Sequence, residues 1–471
     1  MTGASTDLRM LAGSGPIHFM GIGGAGMVAL AGLLARKGAR VTGCDAKRTP
    51  ALAEEMERLG VTVWAGHAPE HVDGAAAIVV TSAVPAEHPE LVRAKELGVP
   101  VVKRAAALGS WVAGGTLVGI AGTHGKTTTT AMTTEILVRA GREPTGLVGG
   151  RVSAWGGNLR AGSDDLFVVE ADEYDRSFLT LHPDVAVVTN LEADHLDIYG
   201  DLAGVIEGFR AFLRGVKPGG RIVVCADDQG AASLLPEFAA SGYTYGLGAG
   251  AMLRATEVRV VDGRTRCTVH EEGQHRGTLD LPVAGRHNLL NALGAAAAAR
   301  ALGVAWSDVS DALSGFRGVG RRFERLGSVG GVTVIDDYAH HPTEIAATLQ
   351  GARSLFPDRR LVVAFQPHLF TRTRDFVGEF GRALSTADET WITDVFPARE
   401  APIPGVTGAI VADAARAAGG RTVHYHPELE TLAPELARGL GSGDVLVTMG
   451  AGSIEALGGE VLDRLREASH A

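Results

Sequence analysis

Cysteine is scarce: three residues in 471, at positions 44, 225 and 267. They lie far apart with no C-x-x-C pair, which argues against a disulfide framework and a zinc site and fits a reducing cytoplasm. A basic excess is also absent. The net charge of −10 speaks against nucleic acid as a bulk partner, while a local basic groove for anions stays open. The one run resembling a membrane span, residues 16–35, has His18 as its sole ionisable side chain but holds five glycines. A strand followed by a phosphate-binding turn explains it better than a bilayer helix does. Its flanks lack a signal-peptide layout, so we expect no targeting segment, no membrane partner and a cytoplasmic chain. There is no solenoid-period repeat, and no low-complexity tract beyond Ala295–Ala299.

What is abundant is glycine, 64 residues, much of it where apolar runs give way to helical periodicity. That pattern predicts an α/β fold. At ~150 residues per domain the length allows about three. We place a Rossmann-like domain at 1–110, a central P-loop ATPase-like parallel sheet at 111–316, and a second Rossmann-like domain at 317–471. Residues 253–281 alternate as short strands and read as a small antiparallel patch.

Two glycine turns carry most of the chemistry. Strand Ile17–Met20 runs into Gly21-Ile-Gly-Gly-Ala-Gly26, then an apolar helix, then a strand 40–44 ending in Asp45. This G-x-G-x-x-G with a following acid is the dinucleotide fingerprint. By itself it suggests a nicotinamide or flavin cofactor, with Asp45 on a ribose. The second turn, Gly122-Thr-His-Gly-Lys-Thr127, joins a buried strand to a helix beginning near Lys126. Backbone N–H groups and a helix N-terminus cradle phosphate there, Lys126 reaches the terminal phosphates, and Thr127 offers a hydroxyl to Mg²⁺. The general loop wants glycine at position 120, where this chain has Ile120.

Other candidates follow from strand ends, since open parallel sheets bind ligands at their carboxyl edge. Glu170 closes an apolar strand and is the best-placed carboxylate for Mg²⁺. Of the acids nearby, Asp172, Glu173, Asp175, Glu192 and Asp194, most read as solvated loop or helix-cap residues. His195 sits within that acidic cluster. His287, Asn288 and Asn291 open an alanine-rich helix, either as a polar helix start or to recognise a base. Arg321 and Arg322 begin the third domain, and Asp336–Pro342 and Gln366–Arg374 follow strands there. His340 and His341 suit anion or substrate contacts better than metal ligation.

In order and spacing these segments resemble the Mur ligase family over almost the whole chain. The resemblance rests on Gly21–Met27, Gly122–Thr127, Glu170–Asp175, Thr189–Asp197, Gly285–Asn291, Asp337–Glu344 and Gln366-Pro-His368. It implies a three-domain ATP-dependent ligase of peptidoglycan precursor synthesis, similar to the branch that adds L-alanine to UDP-N-acetylmuramate. The first turn, with Gly21, Gly23, Gly24, Gly26, Asp45 and Ser82, would then hold a UDP-sugar. Gly122, Thr123, His124, Gly125, Lys126, Thr127 and Thr128 would hold ATP, with Asn288 and Asn291 near the adenine and Arg322 on the phosphates. Thr127, Glu170 and His195 would hold metal, and Lys126, Glu170, His195, Arg322, His340 and Arg372 would serve catalysis. Several relatives use a carbamylated lysine downstream of the position of His195. Residues 196–216 contain no lysine, which agrees with the alanine-adding branch. Leu369 stands where some such enzymes carry arginine, which leaves the amino-acid contact open. A tripeptide-recycling ligase and an oxidoreductase with an ATP module are the competing readings; monomer and homodimer are undecided.

Overall fold

The computed structural model describes residues 7–81, 84–283, 285–398 and 400–470. It is an α/β protein built on three sheets. They fall into two compact units: one holds most of the chain up to residue 316, the other residues 317–471 with the short pieces 259–266 and 281–289.

The first sheet is parallel, with strands in the order 62–65, 41–45, 17–20, 77–80, 101–103. Ile17–Met20 lies at its centre and is buried at every position, as a strand covered on both faces must be. Helix Ala25–Arg36 leaves the first glycine turn and buries Leu30, Leu33 and Leu34. The core it enters continues without a break into the second sheet, through Trp111, Phe167 and Phe178.

The second sheet has ten strands. Thr116–Ala121 lies between Leu166–Glu170 and Val185–Val188, with Ile120 level with Glu170 and Ala121 level with Val188. That register brings three strand ends to one edge, where Gly122, Glu170 and Thr189 follow. The strands at 253–261, 264–271 and 274–281 form one margin of this sheet rather than a patch of their own. They are joined by Asp262-Gly263 and Glu272-Gly273, all four residues at positive φ. Two-residue turns of that kind match the twist of an antiparallel hairpin.

The six-stranded third sheet runs 324–329, 332–337, 445–449, 361–365, 389–392, 423–425. Glu324–Val329 is antiparallel to its neighbour and the rest are parallel. Among the described residues, no helix is long and apolar enough to cross a membrane.

Candidate active site

The second glycine turn is shaped by what surrounds it. Gly122 has φ +138° and Gly125 φ +82°. A Cβ at Gly122 would run into the Thr189 hydroxyl, and one at Gly125 into the Asn291 carboxamide. Glycine is therefore required for space as well as for conformation. The segment after Val188 clasps the turn: His124 N donates to Asn190 Oδ1 at 2.8 Å, and the Thr189 hydroxyl donates to the His124 carbonyl at 2.6 Å. Glu192 N donates to the Thr123 hydroxyl at 3.0 Å. Thr127 and Thr128, in the first turn of helix Lys126–Arg139, are buried.

Lys126 Nζ donates to the Gly122 carbonyl at 2.7 Å, the Thr123 carbonyl at 3.2 Å and Glu173 Oε1 at 2.8 Å. Burial disfavours its charge, but Glu173, Asp172 and Glu170 outweigh that and raise its pKa. Glu173 is only 3% exposed, so it is not the solvated loop acid that its neighbours suggest. Burial pushes its pKa up to about 7, with Lys126 pulling the other way. The remaining acids behave as loop residues: Asp172 caps Tyr174 N at 3.1 Å, Asp194 caps His195 N at 2.9 Å, and Asp175 is exposed.

The Thr127 hydroxyl donates to Glu170 Oε2 at 2.9 Å, and Gly149 N donates to the same oxygen at 2.7 Å. A hydroxyl and a carboxylate beside a phosphate turn are hard oxygen donors that suit Mg²⁺. His195, at φ +52°, places Nε2 at 3.9 Å from Glu173 Oε1 and 3.8 Å from Asp194 Oδ2. Thr127 and Glu170 thus stand together, while the near neighbours of His195 are Glu173, Asp194 and the Tyr174 ring at 5.1 Å.

The first glycine turn is organised differently. Gly21 N donates to the Cys44 carbonyl at 2.8 Å and Gly23 N to Asp45 Oδ2 at 2.9 Å. The other Asp45 oxygen accepts from Lys47 N at 2.9 Å. Asp45 is therefore a clamp on the turn, with both oxygens already engaged by main chain. Gly24 precedes helix Ala25–Arg36 with no side-chain cap. The Arg104 guanidinium lies against Gly26, where a Cβ would meet its Nη1 at 2.9 Å. A cavity of about 300 Å³ is lined by Gly24, Gly26, Thr81, Arg104, Gly149 and Glu170 among others, so the first turn and the Glu170 carboxylate face one space. Ser82 lies outside the described residues. Motif reading passed over Arg104, yet its place just after strand Val101–Lys103, at the carboxyl edge of a parallel sheet, was a usable signal.

In the other unit, Arg322 Nη1 lies 3.4 Å from Glu344 Oε1 and 5.0 Å above the Tyr338 ring. His340 Nδ1 lies 3.3 Å from Glu344 Oε2, so the two candidates share one carboxylate. The ring centroids of His340 and His368 are 5.8 Å apart. His341 caps helix Pro342–Leu355. Arg372 is buried in helix Phe370–Asp375, which follows Leu369 at φ +69°. Asp337 accepts from Phe323 N and Ala339 N, both at 2.8 Å. Burial raises its pKa to about 6 against the pull of Arg322. The polar helix start divides: Asn291 lies on the phosphate turn, while Asn288 is grouped with the other unit. There too, His287 has its pKa pushed down to about 4 by burial and Arg322.

Three family models match this arrangement: Mur ligase family, catalytic domain, over residues 16–116; Mur ligase middle domain over 120–299; and Mur ligase, glutamate ligase domain, over 321–452. The chain belongs to the Mur ligase family. Among Mur ligases, the UDP-N-acetylmuramate–L-alanine ligase of Salinibacter ruber is 45% identical over 439 residues, spanning 93% of this chain and 92% of that one. The solved UDP-N-acetylmuramate-alanine ligase of Thermotoga maritima superposes with a TM-score of 0.80 at 29% identity, over 96% of this chain and 100% of that one. The murein peptide ligase of Psychrobacter arcticus gives 0.71 at 26% identity, covering 96% and 98%.

Proposed function

We propose that this Mur ligase joins L-alanine to the lactyl carboxylate of UDP-N-acetylmuramate at the expense of ATP, in peptidoglycan precursor synthesis in the cytoplasm. The observation that carries this reading is the cavity with the Gly24–Gly26 turn and Arg104 on one side and Glu170, bonded to Thr127 of the phosphate turn, on the other. A UDP pyrophosphate suits the first turn, and the reacting carboxylate then lies toward the second. We take residues 1–110, 111–316 and 317–471 as the UDP-sugar, ATP and amino-acid domains.

The lactyl carboxylate attacks the ATP γ-phosphorus, ADP leaves, and an acyl phosphate forms. The amine of L-alanine then adds to that carbonyl, and phosphate departs from the tetrahedral intermediate. Positioning and charge neutralisation are what the protein contributes. Lys126 stabilises the moving phosphoryl group. Before ATP arrives, Glu173 and two main-chain carbonyls hold its ammonium in place and keep it charged. Mg²⁺, held by Thr127 and Glu170 with His195 nearby, supplies further neutralisation of phosphate charge. Asn288 and Asn291 serve the adenine and Arg322 the ATP phosphates. His340 and Arg372 orient the amino acid and the reacting carboxylate.

An amino-acid panel assayed for phosphate release with ATP and UDP-N-acetylmuramate tests this. Release should depend on both L-alanine and the UDP-sugar. Release with a tripeptide but not with L-alanine would overturn the assignment in favour of a muropeptide-recycling ligase.

A further inference from the structure

Behind the first glycine turn, on the sheet face away from helix Ala25–Arg36, four polar side chains meet in an otherwise apolar layer. His18 comes from strand Ile17–Met20 and Cys44 from Val41–Asp45. His71 comes from the 3₁₀ turn Pro69–Val72 and Glu90 from the first turn of helix Pro89–Leu97. His18, Cys44 and Glu90 are fully buried, and around them pack Met20, Val72, Ile78, Val80 and Ala94. One donor atom from each of the four lies within 4.8 Å of every other.

We propose that His18, Cys44, His71 and Glu90 form a tetrahedral zinc site. Cys44 Sγ lies 3.5 Å from His18 Nε2 and 3.3 Å from Glu90 Oε1. His71 Nδ1 lies 3.0 Å from Glu90 Oε1, and His18 Nε2 lies 3.9 Å from Glu90 Oε2. Zinc bonds of about 2.3 Å to sulfur and ~2.0–2.2 Å to nitrogen and oxygen give a tetrahedron with edges of about 3.3–3.6 Å. The observed separations bracket that range, so the donors need shift only by fractions of an ångström.

Three further features fit a metal rather than a chance polar cluster. The carboxylate of Glu90 is sealed from solvent, and its ion-pair neighbours among the described residues are His18, His67 and His71, with no lysine or arginine. A buried carboxylate needs a compensating cation. Zinc with one thiolate, one carboxylate and two neutral imidazoles is electrically neutral, as a buried site should be. Second, the ligand rings are oriented from behind. His18 Nδ1 lies 3.1 Å from the Thr42 hydroxyl, which turns Nε2 toward the cluster, and His71 stacks on Trp64 at 4.6 Å. Third, there is a way in: His67, with its side chain 30% exposed, lies with Nδ1 3.2 Å from Cys44 Sγ at the rim. Sulfur and imidazole donors select zinc over magnesium. On binding, the thiol proton leaves to solvent as the Zn–S bond forms.

Full-length protein stripped with a chelator and reloaded tests the site without reference to the ligase reaction. Expected are one zinc per chain by elemental analysis, and with Co²⁺ a near-ultraviolet thiolate-to-metal charge-transfer band that zinc abolishes. Cys44→Ser should lose that band and weaken zinc binding by at least about 100-fold, with unchanged far-ultraviolet circular dichroism. His71→Asn supplies the same readout should Cys44→Ser fail to fold. Zinc should raise the melting temperature of the parent protein and leave Cys44→Ser unmoved. Absence of the cobalt band would overturn the site, as would zinc retained at equal affinity by both variants.

Discussion

Two glycine-rich turns in the same unit each lead a parallel strand into a helix, and they handle charge in opposite ways. The turn at Gly21–Gly26 contains no ionisable side chain. Its carboxylate, Asp45, faces the turn's own main chain, and its cation, Arg104, arrives from another helix. The turn at Gly122–Lys126 carries its cation within itself, held by two of its own carbonyls and a buried glutamate. An anion that is only held can be met by an arginine reaching in from outside. A phosphoryl group that moves needs a charge whose position is set by the loop that cradles it, because misplacement by ~1 Å costs on the order of a hundredfold in rate.

That comparison can be broken at several points. Lys126→Ala should lower kcat by ~10³-fold or more, within the range for a lost charge-stabilising group. UDP-sugar binding, measured by calorimetry, should be unchanged; a modest kcat loss would remove the distinction between the two turns. Gly122→Ala comes next. Its Cβ has no room beside Thr189 and its φ of +138° suits only glycine, so nucleotide binding should fall by at least ~100-fold. Retained ATP affinity in a titration would show that the turn yields. For Arg104→Ala we expect KM for the UDP-sugar to rise about tenfold, roughly one charge-assisted hydrogen bond, with kcat within a factor of ~2. An equal fall in kcat would mean that Arg104 also serves the transfer step.

The smallest expected effect concerns Glu173. Its folded pKa of about 7 stands above the unfolded value of 4.5, burial being the main cause. The folded state therefore favours the protonated acid, and its contribution is complete below pH 4.5 and lost as pH rises through about 7. Glu173→Gln should flatten the melting temperature across that window by a few degrees. A profile parallel to that of the parent would show that the ion pair with Lys126 offsets the burial cost.

How much could be read in advance varied with what each residue depends on. Strands Leu166–Glu170, Val185–Val188 and Leu361–Phe365, and helix Pro89–Leu97, lie within the limits their patterns indicate, because each is an unbroken apolar or amphipathic run between punctuating residues. The hairpin at 145–160 and the strand Gly242–Gly246 went unread. Glycine and polar residues blunt their alternation, and their neighbours in the sheet hold them in place. In the site, Lys126 and Thr127 were visible because their distance along the chain is also their distance in the loop. Glu173 was not: in an acidic run nothing marks which member turns inward, and only packing against Lys126 and Tyr199 decides it.

The sequence by itself determined the α/β class, both anion-binding turns and the family, since each rests on local spacing or on ordered motifs. Tertiary structure alone decided that Asp45 clamps a turn, that Glu173 holds Lys126, and that Arg104 and Glu170 face one cavity. It alone gathered His18, Cys44, His71 and Glu90 from four elements into one buried cluster. The reason is the same throughout. Burial and charge pairing are set by what the chain brings together across 22 to 66 residues of separation, as between Gly23 and Asp45 or His124 and Asn190, and linear spacing carries no record of that.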